Sequence, residues 1–244
     1  MKKKLTVILV TKNAILYISE ALDNILSNKK FIDEIIVIDS GSTDGTVDII
    51  NTHLAEITYF LSELDDGIYD GMNKGIEHSN SEWLYFIGAD DRFYDSEVLS
   101  DFIALLGRAK NINKFDLIYG KYSFKNNIYR SHFDWRLIFS NVLNHQSVFF
   151  NRKCFIQFKY DKSFRVAGDY DFNLRHFLSG SIGFFFDRVI VKYGSDGISS
   201  VNKNLSELEM EKVRLRYFGP YISLLIKKLK FFRKHILSFS LGDK

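Results

Sequence analysis

The strongest constraint on the fold is a set of short apolar runs in the first half of the chain: "LTVILV" (5–10), "DEIIVIDS" (33–40) and "EWLYFIG" (82–88). At their centres they are continuously apolar and rich in β-branched or aromatic residues, instead of alternating apolar with polar. Strands of this kind are buried on both faces, as in a parallel sheet covered by helices. Helical patterns fall between them. "AILYISEALDNIL" (14–26) places Ile15, Ile18, Leu22, Ile25 and Leu26 at helical spacing, and "GTVDIINTHL" (45–54) reads as a second helix. "ITYFLS" (57–62) is a further strand, and "GIYDGMNKGIEHS" (67–79) begins as a loop and becomes a helix. This alternation predicts an α/β domain, Rossmann-like, with a mostly parallel central sheet. No G-x-G-x-x-G follows the first strand, so the dinucleotide fingerprint is missing.

The second half is less regular. "DLIYGKYSF" (116–124) reads as a strand and "HQSVFFNRKCF" (145–155) as a strand running into a turn. "GDYDFNLRHFLSG" (168–180) reads as a helix stopped by Gly180, and "SIGFFFDRVIVKYG" (181–194) returns as strand. With 46% hydrophobic and 26% charged residues, the 244-residue chain has ample material for a large core. A single cysteine, Cys154, excludes an internal disulfide and fits a small buried hydrophobe better than a nucleophile. The run Leu5–Val10 is too short for a signal peptide, and no uninterrupted apolar stretch of about 18 residues predicts a transmembrane helix.

Charge is unevenly distributed. From Lys212 onward, nine Lys/Arg face one acid, so this segment carries +8 of a net +3 and leaves −5 on residues 1–211. A body at 1–211 (halves 1–115 and 116–211) and a basic C-terminal segment at 212–244 are therefore expected, with Gly219-Pro220 a plausible hinge.

In open parallel sheets, ligands bind at the carboxyl ends of the strands. Here those ends carry acids: "DSGSTDGT" from Asp39, "ELDDGIYD" from Glu63 to Asp70, and Asp90-Asp91 after the strand at 82–88. Carboxylates crowded on one rim repel one another unless a cation or many donors lie nearby. Mg2+ or Mn2+, held by one or two carboxylates and by substrate phosphate oxygens, is the natural partner. Each motif alone has a plainer reading: "GSTDGT" suits a turn with a helix cap, and Asp90-Asp91 suits the start of the next helix.

Taken together and in order, "VILVTKN", "EIIVIDSGSTDGT", "DDGIYDGMNKGI" and "WLYFIGADD" resemble the inverting family-2 glycosyltransferases of GT-A fold, of the bacterial type that builds surface polysaccharide such as O-antigen, lipopolysaccharide or capsule. The resemblance covers residue 5 to about residue 200. It implies a donor site for a nucleotide-diphosphate sugar, a UDP-sugar foremost, built from Thr11, Asn13, Asp39, Ser42, Asp66, Asp70, Asn73, Lys74 and Asp90. Lys12 departs from the family's more usual aromatic residue beside the base. Asp91 is implied as the direct ligand of the Mn2+ or Mg2+ ion. "GDYDFNLR" resembles the helix that carries the family's base, which assigns Asp169 as the carboxylate that deprotonates the acceptor hydroxyl, with Asp171 as fallback. Gly168 stands where the family usually has an acid. Arg175 either faces a phosphate or pairs with Asp171 one turn away. His145 and Gln146 match the acceptor side.

"YISLLIKKLKFFRKHILSF" (221–239) alternates an apolar stripe with Lys and Arg, the composition of an amphipathic helix lying on an anionic membrane surface. The alternative is a helix packed on the body. The resemblance supports the membrane: related enzymes extend a polyprenyl-diphosphate-linked saccharide acceptor, placing such a protein in the cytoplasm, peripheral on the inner face of the bacterial membrane, with 213–240 as the docking segment. No nucleic-acid-binding motif accompanies the basic tail, so no nucleic acid partner is expected. The Gly/Ser-rich loop "YGSDGISS" (193–200) is expected to order over the donor diphosphate. Two rival readings are a nucleotidyltransferase, which lacks its Gly/Lys-rich loop here, and a catalytically silent sugar-nucleotide-binding scaffold.

Overall fold

The computed structural model describes residues 4–109, 111–194 and 202–239. The apolar runs form the expected strands: β1 (Leu5–Thr11), β2 (Glu34–Asp39), β3 (Tyr59–Ser62) and β4 (Trp83–Gly88). All pairings among them are parallel, in the order β3-β2-β1-β4. The connecting helices are α1 (Ile18–Ser27), α2 (Thr46–Asn51) and α3 (Ile68–His78).

The reason for unbroken apolar strands is visible in the core. Leu5, Val7 and Leu9 of β1 enter one hydrophobic cluster with Trp83 and Tyr85 of β4. The intervening Ile8 and Val10 enter a second cluster across the sheet, with Leu84 and Phe86. Successive side chains point to opposite faces, and both faces are covered. Helix α3 lies close on the sheet because Gly71 and Gly75 face it. A Cβ at Gly75 would stand 2.4 Å from Ile8 Cγ2, and one at Gly71 would stand 2.8 Å from Val10 Cγ1. The glycines of "DGMNKG" thus set the helix-to-sheet distance.

The second half continues the same sheet with mixed direction. After β5 (Arg92–Phe93) and α4 (Val98–Arg108) come β6 (Leu117–Phe124), β7 (Asn127–Arg130), β8 (Val148–Asn151), α5 (Lys153–Gln157), α6 (Gly168–Leu178) and β9 (Gly183–Lys192). The order extends as β4-β8-β6-β9-β5, with β7 paired to β6. β8 runs antiparallel to β4 and β6, and β6 runs parallel to β9. The result is the expected α/β domain of GT-A type, a central sheet flanked by helices.

This topology gathers chemistry on one rim. The carboxyl ends of β1, β2, β3, β4, β6 and β9 all reach it. Because β8 is antiparallel, its amino end, where His145 and Gln146 sit, reaches it too.

The final helix, α7 (Lys203–Phe239), is broken at Gly219, whose φ of 69° and ψ of 176° leave the helical region just before Pro220. Its first arm packs on the body, with Val213 fully buried and Glu209 and Arg214 nearly so. The segment expected to be separate from Lys212 therefore begins against the body. Past Gly219, Ser223 and Ile226 turn inward at helical spacing, while Tyr221, Ile222, Leu224, Leu225 and Leu229 stand exposed. No helix among the described residues is long and apolar enough to cross a membrane.

Candidate active site

On the donor side of the rim, the loop after β2 is tied to the loop after β1. Asp39 is fully buried, and its carboxylate accepts from Ser42 N–H at 2.8 Å, from Ser62 Oγ at 2.6 Å and from the Ser42 hydroxyl. Asn13, at φ 47°, donates its N–H to Ser42 Oγ at 2.7 Å and accepts from Thr43 N–H at 3.0 Å. Asp44 caps Thr46 and reaches Ile15 N–H at 3.0 Å; the Thr46 hydroxyl foremost holds its carboxyl below the usual range. The turn-and-cap reading of "GSTDGT" is thus correct locally. It produces a rigid cradle at the end of β1, where Thr11 pairs with Asp39 in the ladder and is itself buried.

The next cluster is ionic. Asp70 lies between Lys162 at 3.0 Å and Lys74 at 3.5 Å, and Lys74 also reaches Glu63 at 2.7 Å. Burial raises the Asp70 carboxyl, but Lys162 and Lys74 outweigh it and bring it below the usual range. Asp66 is exposed and pairs with Lys162 at 3.0 Å. Asn73 does not offer its amide to the rim. It donates to Tyr160 O at 2.9 Å and accepts from Tyr160 N–H at 3.1 Å, bracing the chain ahead of α6.

Asp90 and Asp91 follow β4 directly. Asp91 is 1% exposed, and its carboxylate accepts from Gly88 N–H at 3.1 Å and Gly194 N–H at 2.9 Å. Burial first, and the neighbouring Asp90 charge second, push its carboxyl up to about 7. A buried carboxylate beside a second one is stabilised in its charged form by a cation. Among the described residues no group of three or more His, Cys, Asp or Glu forms a metal cage. None is needed for Mg2+ or Mn2+ completed by diphosphate oxygens, so these residues fit such an ion. Of the loop at 193–200, residues 195–200 lie outside the described residues.

On the side of the rim expected to take the acceptor, a cavity of about 160 Å3 is lined by Asn141, Asn144, His145, Gln146, Asp169 and Tyr193, among others. The sequence-assigned acceptor residues and base thus share one pocket. Asp169 sits in the first turn of α6 and accepts from Asn141 Nδ2 at 2.8 Å and Tyr170 N–H at 2.8 Å, with Tyr69 Oη 3.3 Å away and its one proton shared with Val166 O at 2.8 Å. Burial pushes its carboxyl above the usual range, and those three donors restrain the rise. His145 donates or accepts at Tyr160 Oη, 2.6 Å away, and burial holds its imidazole down to about 3, so it is neutral. The backbone carbonyl of Gln146 accepts from Tyr85 Oη at 2.6 Å.

The fallback Asp171 faces away from this chemistry. It is fully buried and bound to Arg175, to Arg216 at 3.1 Å and to Tyr217 Oη at 3.1 Å. Arg175 therefore pairs with Asp171. Gly168, where the family usually has an acid, has a steric cause: a Cβ there would stand 2.7 Å from the Tyr69 ring. That ring is fixed, since its hydroxyl donates to Val166 O at 2.8 Å. Tyr69 and Asn141 were not singled out from sequence. Tyr69 carried a signal, since it stands inside "DGIYDGMNKG"; Asn141 is one polar residue in an irregular stretch and carried none. Cys154 is buried and its thiol is raised to about 12, as befits a packing residue.

Comparison with known proteins agrees with this geometry. The family described as Glycosyl transferase family 2 matches residues 6–168. A "PGL/p-HBAD biosynthesis glycosyltransferase" of Mycobacterium bovis (strain BCG / Pasteur 1173P2) is 32% identical over 193 residues, which cover 76% of this chain and 74% of that protein. Among solved structures, S. aureus TarS 1-349 in complex with UDP-GlcNAc superposes with a TM-score of 0.69 at 20% identity, over 86% of this chain and 64% of that one. Mannosyltransferase PcManGT from Pyrobaculum calidifontis, in complex with GDP-Man and Mn2+, superposes with a TM-score of 0.66 at 16% identity, over 88% of this chain and 64% of that one. The chain is a glycosyltransferase of GT-A fold and belongs to glycosyl transferase family 2.

Proposed function

We propose that the enzyme is a metal-dependent inverting glycosyltransferase that moves a sugar from a UDP-sugar to a lipid-linked saccharide acceptor in surface glycan synthesis. The observation that carries this reading is the placement of Asp169. It is a buried carboxylate with a raised proton affinity, oriented by Asn141 and Tyr69, and it lines the same pocket as His145 and Gln146. A general base acts best when its pKa approaches the working pH, and burial moves Asp169 in that direction. Its carboxylate takes the proton of the acceptor hydroxyl as that oxygen attacks the donor's anomeric carbon from the face opposite the nucleotide.

The donor is assigned to the cradle of Thr11, Asn13, Asp39 and Ser42, with Asp66, Asp70 and Lys74 along the sugar side. Asp90 and Asp91 would hold the Mn2+ or Mg2+, which offsets the charge developing on the leaving diphosphate. Support for a UDP-sugar comes from the likeness to TarS with UDP-GlcNAc; support for the metal comes from PcManGT with its Mn2+. Support for a lipid-linked acceptor comes from the exposed stripe Tyr221, Ile222, Leu224, Leu225 and Leu229 beside Lys227 and Lys228, which suits the inner face of the membrane. We assign Asn73 to bracing Tyr160 ahead of α6.

The test is a transfer assay with UDP-sugars, Mn2+ and a short polyprenyl-diphosphate saccharide, with the product's anomeric configuration read by NMR. An inverted linkage is the expected product, and a retained one rules out Asp169 acting in this way. Flotation tests the tail: full-length protein should rise with anionic liposomes at low salt and stay behind at high salt.

A further inference from the structure

The family match covers residues 6–168, so Asp169 and the whole of α7 lie beyond it. The first arm of α7 grips α6 on both sides of Asp169. Ahead of it, the Glu209 carboxylate accepts from the backbone N–H groups of Arg165 at 2.9 Å, Val166 at 2.8 Å and Ala167 at 3.0 Å. These are consecutive donors in the segment leading into α6, and no helix ladder would satisfy them. Glu209 is 4% exposed, so its charge is compensated largely by these bonds. Beyond Asp169, Arg216 Nη1 and Tyr217 Oη each reach Asp171 Oδ1 at 3.1 Å, and Tyr217 Oη accepts from Arg175 Nε at 3.0 Å. Ser206 and Met210 of the same arm line the pocket that holds Asp169.

We propose that the first arm of α7 is a positioning element of the active centre, in which Glu209 in front and Arg216 with Tyr217 behind fix the start of α6 and thereby the direction of the Asp169 carboxylate. None of the three touches the reacting atoms; each acts through Asp169. The geometry requires this degree of control, because Asp169 must meet Asn141 Nδ2 and Tyr69 Oη, which stand on separate elements. Charged bonds through Glu209 resist sliding of 165–167, and the Asp171 cluster resists rotation of α6 about its axis. A sequence cut between 211 and 212 would divide the clamp, leaving Glu209 on one side and Arg216 and Tyr217 on the other.

The functional consequence rests on Asp169 being the base, but the placement is measurable without substrate. The full-length protein is labelled at Asp carbonyl carbons, and Asp169→Asn identifies the Asp169 resonance. In Glu209→Gln, an amide NH2 competes with the backbone donors. Expected are amide exchange at 165–171 roughly tenfold faster and an Asp169 titration midpoint displaced by ~0.5 pH unit or more. Tyr217→Phe keeps the ring and loses the bonds to Asp171 and Arg175. It is the second variant should Glu209→Gln not fold, and a smaller displacement of the same resonance is expected from it. Folded variants whose Asp169 carbonyl shift and midpoint match the wild type would overturn the clamp. Asp169→Asn separately decides the base: if that variant still transfers sugar at the wild-type rate, the reading of Asp169 fails while the clamp, as a structural device, stands on the NMR result.

Discussion

The two halves of the rim are built on different terms. On the donor side, most polar groups satisfy one another, although the buried Thr11 Oγ1 and Asp65 Oδ2 have no hydrogen-bond partner among the described residues. Asp39 is saturated by Ser42 and Ser62, Asn13 is cross-linked to the Ser42-Thr43 turn, and Asp44 is locked to Thr46. On the acceptor side, buried polar atoms of Asn141 (Oδ1), Asn144 (Oδ1) and His145 (Nδ1) have no hydrogen-bond partner among the described residues. A buried polar atom without a partner costs about 1–3 kcal/mol, a cost relieved when a ligand supplies the bond. Both halves thus leave buried polar atoms for a ligand to meet, but on the donor side the loops are already cross-linked to one another.

The largest effect that sharpens this contrast is Asp169→Asn. Transfer should fall by about 10^2- to 10^4-fold, the range of general-base contributions, while nucleotide affinity measured by calorimetry stays the same. A matching loss of nucleotide binding would mean the two halves are not separable. Next, Asp91→Asn should lower Mn2+-dependent nucleotide affinity by at least about tenfold, or 1.4 kcal/mol, and leave any metal-independent binding unchanged. Gly168→Glu, which restores the family's usual acid, should cost about 1–3 kcal/mol of stability in denaturant titrations because of overpacking against Tyr69. Unchanged stability would show that the Tyr69 ring yields.

A pH dependence follows as well. An acid raised in the folded state keeps its proton there after the unfolded chain has lost it, so stability is greatest at low pH and falls as pH rises. For Asp91 the window runs from the ordinary Asp range up to about 7. Without divalent metal, the melting temperature of wild type relative to Asp91→Asn should decline across that window. Mn2+ with nucleotide should reverse the decline, and a flat difference would remove the buried-acid account of this site.

Much of the donor half was legible because its strands are apolar on both faces and its turns carry Gly, Ser, Thr and Asp at fixed places. β5 and β7 were not, because Arg92–Phe93 is a two-residue pairing and Asn127–Arg130 is exposed throughout, so neither forms an apolar run. Asp169 was singled out through its resemblance to a motif, while its supports Asn141 and Glu209 were missed. Asn141 lies in irregular chain, and Glu209 is one of three alternating acids, Glu207, Glu209 and Glu211, whose differing burial only the packing of α7 decides. Asn73, expected at the donor, bonds the Tyr160 backbone, because a side-chain amide matches a backbone N–H and C=O as readily as a sugar.

The proposed donor site is metal-assisted and lies at the carboxyl ends of the strands. Its most direct test is a thermal-shift panel of the full-length protein with UDP-, GDP-, CMP- and dTDP-sugars, with and without Mn2+. A ligand that binds only the folded state raises the melting temperature with occupancy. The account predicts a rise with UDP-sugars that requires Mn2+ and disappears in Asp91→Asn. Melting temperatures that do not move with any nucleotide sugar, with or without Mn2+ and with or without anionic liposomes, would contradict it.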